Sequence, residues 1–303
     1  MGTAIAFRTV SKRYRDGTQA LADATWTVEE GVAACLLGPR GAGKTTSIRL
    51  IEGVIRPTGG SVHVLGAAIG SQDFPYVRQR VGVVPQTTGM YADLTADEYI
   101  SMAARLHGVQ PQAAIETMGL AEHLHTRMLL LPAGLQRRLA LAAALVADPD
   151  LLILDDPTYG LDAVTAQNLR HYVREAMRDR TTLLCTQSLA EAEALADHVV
   201  LMRAGRVVAE GTLTELRRRA RPRLRLAARG EPQALVGELE GMERKVEATE
   251  GGVLVDVSDP QAEAPELLRR LLEARIEVYE CSTVPASIEE LFPEELATLE
   301  EVE

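Results

Sequence analysis

The segment that most restricts the fold is Gly38-Pro39-Arg40-Gly41-Ala42-Gly43-Lys44-Thr45, set between the apolar run VAACLLG and an amphipathic stretch that begins with Thr46. It fits G-x-x-x-x-G-K-[ST], a pattern with meaning only where a buried strand feeds a helix through a glycine-rich turn. Both flanks are present, so the chain has to place a strand, a tight loop and a helix in that order. Gly38, Gly41 and Gly43 let backbone N–H groups converge on phosphate oxygens, and the helix N-terminus adds positive potential. Lys44 reaches the β- and γ-phosphates, Thr45 can hold Mg²⁺, and Arg40, Ala42 and Thr46 complete the loop.

A second element answers the first. Leu151-Leu152-Ile153-Leu154-Asp155 is a continuous apolar run of the kind buried in a parallel sheet, and it ends in a carboxylate. In that position Asp155 coordinates Mg²⁺, commonly through water. Together the two segments predict nucleotide binding.

Strands predicted at 5–10, 25–30, 32–38, 61–66, 80–86, 151–156, 181–186 and 198–211 alternate with helices near 96–106, 112–118, 135–147, 163–178 and 188–196. Alternation of this kind predicts an α/β sheet with helices on both faces. The stretch RRRARPR (217–223) marks a boundary between a domain over 1–220 and a smaller one over 221–303. In the second, the order strand, helix, strand, strand, helix, strand is the split pattern of ferredoxin-like α+β units, followed by a short helix at 287–292.

Charge separates the two parts. The chain carries a formal −11, but residues 222–303 hold 20 acids against 8 bases, leaving 23 acids and 24 bases before them. An acidic tail repels nucleic acid phosphates and anionic lipid, so no nucleic-acid partner is expected. Apolar stretches are interrupted by charge or proline well short of the ~18–20 residues that span a bilayer, and the N-terminus lacks the apolar core of a secretory signal. A cytoplasmic location without direct membrane insertion is expected. Cys35, Cys185 and Cys281 lie far apart and read as buried thiols of a reducing compartment.

Between and beyond the two nucleotide motifs the order GPRGAGKTT, PTGGSVHVLG, VGVVPQ, LTADEYI, LPAGLQRRLALAAALVADPDLLILDDPTYGLDA and ADHVVLMRAGRVVAEG resembles the ATP-binding subunits of ABC transporters, most closely those of drug and antibiotic exporters of the daunorubicin-resistance type. The tail also resembles the extension of such subunits, and its apolar helix face at Leu267, Leu268, Leu271 and Leu272 is expected to contact another subunit. The resemblance implies a P-loop NTPase fold of ABC type with a helical subdomain, ATP and Mg²⁺ as cofactors, a separate transmembrane permease, and a second ATP-binding subunit in a homo- or heterodimer. It further implies a place on the cytoplasmic face of the cell membrane, in multidrug export. By the same carry-over Tyr14 stacks on adenine, Gln86 senses Mg²⁺ and the membrane subunit, and Asp162 contacts the opposite subunit.

Three positions depart from that family's pattern. Asp156 stands where Glu polarises the attacking water, Gln187 stands where a histidine contacts the γ-phosphate, and Leu131-Pro132-Ala133-Gly134-Leu135 replaces L-S-G-G-Q. Pro132 lacks both a hydroxyl and an N–H, and Ala133 adds a methyl where close backbone approach is expected. Only the amides of Ala133 and Gly134 and the helix N-terminus remain as donors to the γ-phosphate bound on the opposite subunit. Arg138 keeps the basic position downstream. Two readings follow: an ATPase subunit with weakened hydrolysis that drives export, and a non-catalytic, ATP-gated regulatory or dimerisation subunit paired with an active ATPase. A DNA-repair or translation protein of the same family needs a basic surface, a coiled-coil insertion or a tandem cassette, and the sequence offers none.

Overall fold

The computed structural model describes residues 2–284 apart from 88–90, 92, 220–221, 230–231, 243 and 250–251. The predicted helix at 287–292 lies outside the described residues. The chain divides into two compact units, Met1–Thr212 and Leu213–Glu303.

In the first unit, the segments with alternating polar and apolar residues build an antiparallel sheet. It comprises β1 (Thr3–Arg13), β2 (Gln19–Glu29), β4 (Gly59–Val64) and β5 (Ala67–Ala68), in the order β2-β1-β4-β5. Such a sheet can bury one face and leave the other to solvent. The continuously apolar segments build a second sheet from β3 (Ala33–Leu37), β6 (Val81–Val84), β7 (Leu151–Asp155), β8 (Thr181–Thr186), β9 (His198–Arg203) and β10 (Arg206–Gly211). Its order is β10-β9-β3-β8-β7-β6, parallel except for β10 against β9. Every residue of β7 and β8 is buried. The strands that alternate with helices form the parallel sheet, and the N-terminal strands, which carry the one-sided pattern, form the antiparallel one.

The helix α1 (Lys44–Ile51) packs against β4 of one sheet and β7 and β8 of the other. Ile48, Leu50 and Ile51 lie with Ile5, Phe7, Trp26, Leu36, Ile153 and Leu183 in one core. Phe7 and Trp26 stack in it with ring centroids 4.3 Å apart. A short helix α2 (Phe74–Arg78), unforeseen in the sequence, covers part of the antiparallel sheet. The helical layer consists of α3 (Ala96–His107), α4 (Gln112–Thr117), α5 (Ala133–Leu145) and α6 (Ala163–Met177), with α5 against the other three. A capping box between Thr95 and Glu98 starts α3, and Gly108 at φ 67° ends it. The helix α7 (Leu189–Leu195) packs on β3 and β8.

The second unit opens with α8 (Leu213–Arg219). There follow β11 (Arg223–Ala228), α9 (Pro232–Glu240), β12 (Val246–Thr249), β13 (Gly252–Asp256), α10 (Pro260–Glu273) and β14 (Val278–Val284). Its antiparallel sheet has the order β12-β13-β11-β14, which is the ferredoxin-like arrangement. Two expectations change here. Cys281 is exposed rather than buried, because it sits on the edge strand β14. Leu267 and Leu271, which with Leu268 and Leu272 suggested a face for another subunit, belong to this unit's own core beside Leu224, Leu226 and Val253, and Leu272 alone of the four stands largely exposed. No helix among the described residues is long and apolar enough to cross a membrane.

Candidate functional site

The loop 38–43 leaves the end of β3 and enters α1 at Gly43, whose φ of 107° belongs to the left-handed region that favours glycine. Gly38 serves a different need: a Cβ there would lie 2.2 Å from the Met202 carbonyl oxygen. Gly38→Ala is therefore expected to force β3 away from β9. Overpacking of this kind costs up to about 3 kcal/mol. A fall in melting temperature of roughly 6–12 °C should follow, read by thermal unfolding, and an unchanged transition would contradict it. No side chain caps α1, and its first turn holds no acid, so its amides are left for an anion.

Lys44 is 7% exposed and folds back over the loop, its Nζ donating to the carbonyls of Gly38 at 2.5 Å and Pro39 at 2.9 Å. Burial lowers its pKa, while Asp156 and Asp155 favour its charged form. Thr45 is exposed at the helix start and Thr46 is buried. Tyr14 is half-buried, with its hydroxyl 3.3 Å from Thr46 Oγ1 and the Lys12 ammonium 5.5 Å from its ring centre. The tyrosine thus stands beside the loop. Arg40 donates to the Tyr159 hydroxyl at 2.9 Å, and Ala42 is buried.

Asp155 ends β7, one strand away from β3 across β8, so loop and carboxylate share the C-terminal edge of the parallel sheet. Its carboxyl is 8% exposed and is pushed up to about 6 by burial and then by the neighbouring Asp156, against the pull of Lys44. A buried carboxyl beside a second one, facing a glycine cradle with a lysine, is a donor set suited to a divalent cation and a polyphosphate. Asp156 takes φ 42°, its N–H donates to the Cys185 carbonyl at 2.7 Å, and its Oδ2 accepts from Gln86 Nε2 at 3.3 Å. Gln187 follows the end of β8 and is exposed.

The remaining candidates are placed elsewhere. Pro132 is the N-cap of α5 with no side-chain cap, and it and Ala133 are exposed. Gly134 packs on α6, where a Cβ would meet Thr165 Cγ2 at 2.8 Å. The 131–135 segment is therefore seated against α6. Asp162 caps α6, accepting from the amides of Val164 and Thr165 at 3.0 Å and from the Thr165 hydroxyl at 2.6 Å, which holds its carboxyl below the usual range. Arg138 is absorbed by structure: it donates to the carbonyls of Met118 and Gly119 and lies 3.9 Å over the Tyr172 ring.

Two buried charged residues escaped the sequence reading. Arg137, 7% exposed, donates to the carbonyls of Pro85 and Tyr159. Glu191, 1% exposed, is buried with its Oε1 unpaired among the described residues, and burial raises its pKa. Its Ser188-x-x-Glu191 setting reads as an ordinary capping pattern, which hides that its side chain turns inward.

Comparison with known proteins agrees with this geometry. Residues 21–159 match the family described as ABC transporter, and residues 211–295 match that described as ATP-binding protein DrrA1-3-like, C-terminal domain. The daunorubicin/doxorubicin resistance ATP-binding protein DrrA of Streptomyces peucetius is 34% identical, over 91% of this chain and 88% of its own. The Nod factor export ATP-binding protein I of Burkholderia lata is 37% identical, over 68% of this chain and 70% of its own. A solved ATP binding subunit of an ABC transporter superposes with a TM-score of 0.63 at 28% identity, over 71% of this chain and 92% of its own.

Proposed function

The chain belongs to the ABC transporter ATP-binding family, and from that premise we propose that it is the ATP-binding subunit of an efflux complex, binding MgATP at a dimer interface to drive or gate a separate transmembrane permease. The carrying observation is the shared sheet edge on which the glycine cradle, Lys44 and Asp155 meet. The relatives' export functions direct the reading toward efflux.

In this reading the loop amides, Lys44 and Thr46 hold the phosphates, Tyr14 stacks on the base, and Thr45, Gln86 and Asp155 hold Mg²⁺. The cation would neutralise phosphate charge. Asp156 and Gln187 face the γ-phosphate, and the partner subunit closes the site with its own signature segment. The subunit works in the cytoplasm, held at the membrane by the permease. Equilibrium titration of the isolated chain with ATP, with and without Mg²⁺, tests the reading: tight binding that Mg²⁺ strengthens is expected, and no binding would refute it.

The alternative, a non-catalytic ATP-gated subunit beside an active ATPase, draws support from Pro132, which leaves α5 without a side-chain cap and the segment without a hydroxyl donor. Retained ATP binding with no turnover, alone or with a partner, would favour it.

The C-terminal unit carries no phosphate-binding pattern, and among the described residues no cluster of His, Cys, Asp and Glu is arranged for a metal. Deleting residues 222–303 should leave ATP affinity within about twofold, as expected for sites that share no partners. A larger loss would bring that unit into the nucleotide site.

A further inference from the structure

Arg137 projects from α5 into the interior of the first unit, where a guanidinium gives up much of its hydration. Burial lowers its pKa, and the carboxyl groups of Asp156, Asp155 and Glu191 oppose that effect. Such a charge is retained in a core only where its donors are used. Here they are used on main chain from two different loops: Nη1 donates to Pro85 O at 3.0 Å and Nη2 to Tyr159 O at 3.1 Å.

Those two carbonyls flank one contact. Pro85 immediately precedes Gln86, Tyr159 follows Asp156 by three residues, and Gln86 Nε2 donates to Asp156 Oδ2 at 3.3 Å. Lys44 is held by Gly38 and Pro39, and Arg137 meets the phosphate loop only at second hand, through Tyr159, whose hydroxyl accepts from Arg40. The arginine's own hydrogen bonds fall on the loops that carry Gln86 and Asp156.

We propose that Arg137 is a positioning residue that clamps the loop after β6 to the loop after β7 and so sets Gln86 against Asp156 on the cation side of the nucleotide site. The proposal rests on the nucleotide-binding reading given above. Only arginine suits the task, because a planar fork presents two donors in fixed relation, whereas a lysine ammonium is a point charge on a flexible stem. The same helix α5 begins at Ala133, so Arg137 also connects the 131–135 segment to both loops.

The test compares ATP affinity of the full chain in EDTA and in Mg²⁺ for the unaltered protein, Arg137→Lys, Arg137→Gln, Gln86→Ala and the double variant Arg137→Lys/Gln86→Ala, each checked by thermal unfolding. Affinity in EDTA should stay within about twofold, while the gain conferred by Mg²⁺ should fall about tenfold in either Arg137 variant, the scale seen when groups behind metal ligands are removed. In the double variant the loss should not exceed that of Gln86→Ala, because both residues act through one contact. The proposal is overturned by an undiminished Mg²⁺ gain in both Arg137 variants, by equal losses with and without Mg²⁺, or by additive losses in the double variant. If the unaltered chain binds no ATP at all, the nucleotide reading itself has failed.

Discussion

Lys44→Ala should lower ATP affinity by about 30- to 150-fold, the effect of losing a charged hydrogen bond of about 2–3 kcal/mol to the phosphates. Lys44 Nζ now rests on the carbonyls of Gly38 and Pro39, at the mouth of the cradle. Those are weak partners for an ammonium that burial has already stripped of water. A polyphosphate would offer full negative charge to the same donors, and the exchange is favourable because little reorganisation is needed. Alanine removes the cation without blocking the loop, so Gly41, Gly43 and the α1 amides should retain a residual anion affinity. Equilibrium titration with a fluorescent ATP analogue measures the change. Undiminished affinity in a folded variant would sink the assignment of loop 38–45.

What could be read in the sequence was local. The 38–45 loop and Asp155 announce themselves because each needs only its own flanks: an apolar strand before the glycines, an apolar strand before the carboxylate. The ferredoxin-like order of the tail was legible for the same reason, as its strands alternate over short spans. Arg137 was not legible. It adjoins Arg138 on the same helix, and only the three-dimensional packing of α5 over β6 turns one arginine inward to Pro85 and leaves the other on Met118 and Gly119. Glu191 was hidden by a capping pattern, and Cys281 by an edge strand whose exposure depends on sheet order. Leu267 and Leu271 made the complementary error possible. An apolar helix face shows that something covers it, and the cover was the unit's own sheet.

In a heterodimer with a consensus partner, hydrolysis should come mainly from the partner's nucleotide site, because the family resemblance places each ATP between one subunit's 38–45 and 155–156 segments and the other's 131–135 segment. A homodimer would combine Asp156, Gln187 and Pro132 at both sites, and turnover should then be nearly absent. Asp156 reaches about 1.5 Å less far than glutamate. A misplacement of ~1 Å can cost on the order of 10²-fold. Its carboxylate is moreover engaged by Gln86 at 3.3 Å, and its backbone is fixed at φ 42° by the bond to Cys185, so little freedom remains to recover the lost reach. Gln187 can donate an amide hydrogen bond but cannot relay a proton. A heterodimer separates these defects. One site would pair Asp156 and Gln187 with an intact signature and should hold ATP for long periods; the other would pair the partner's Glu and His with Leu131–Leu135 and should keep the base while gripping ATP less firmly. Changing the partner's catalytic Glu to Gln should collapse hydrolysis, whereas Asp156→Asn here should barely move it. The opposite ranking, read from steady-state phosphate release, would make Asp156 a working base and assign turnover to this chain's own site.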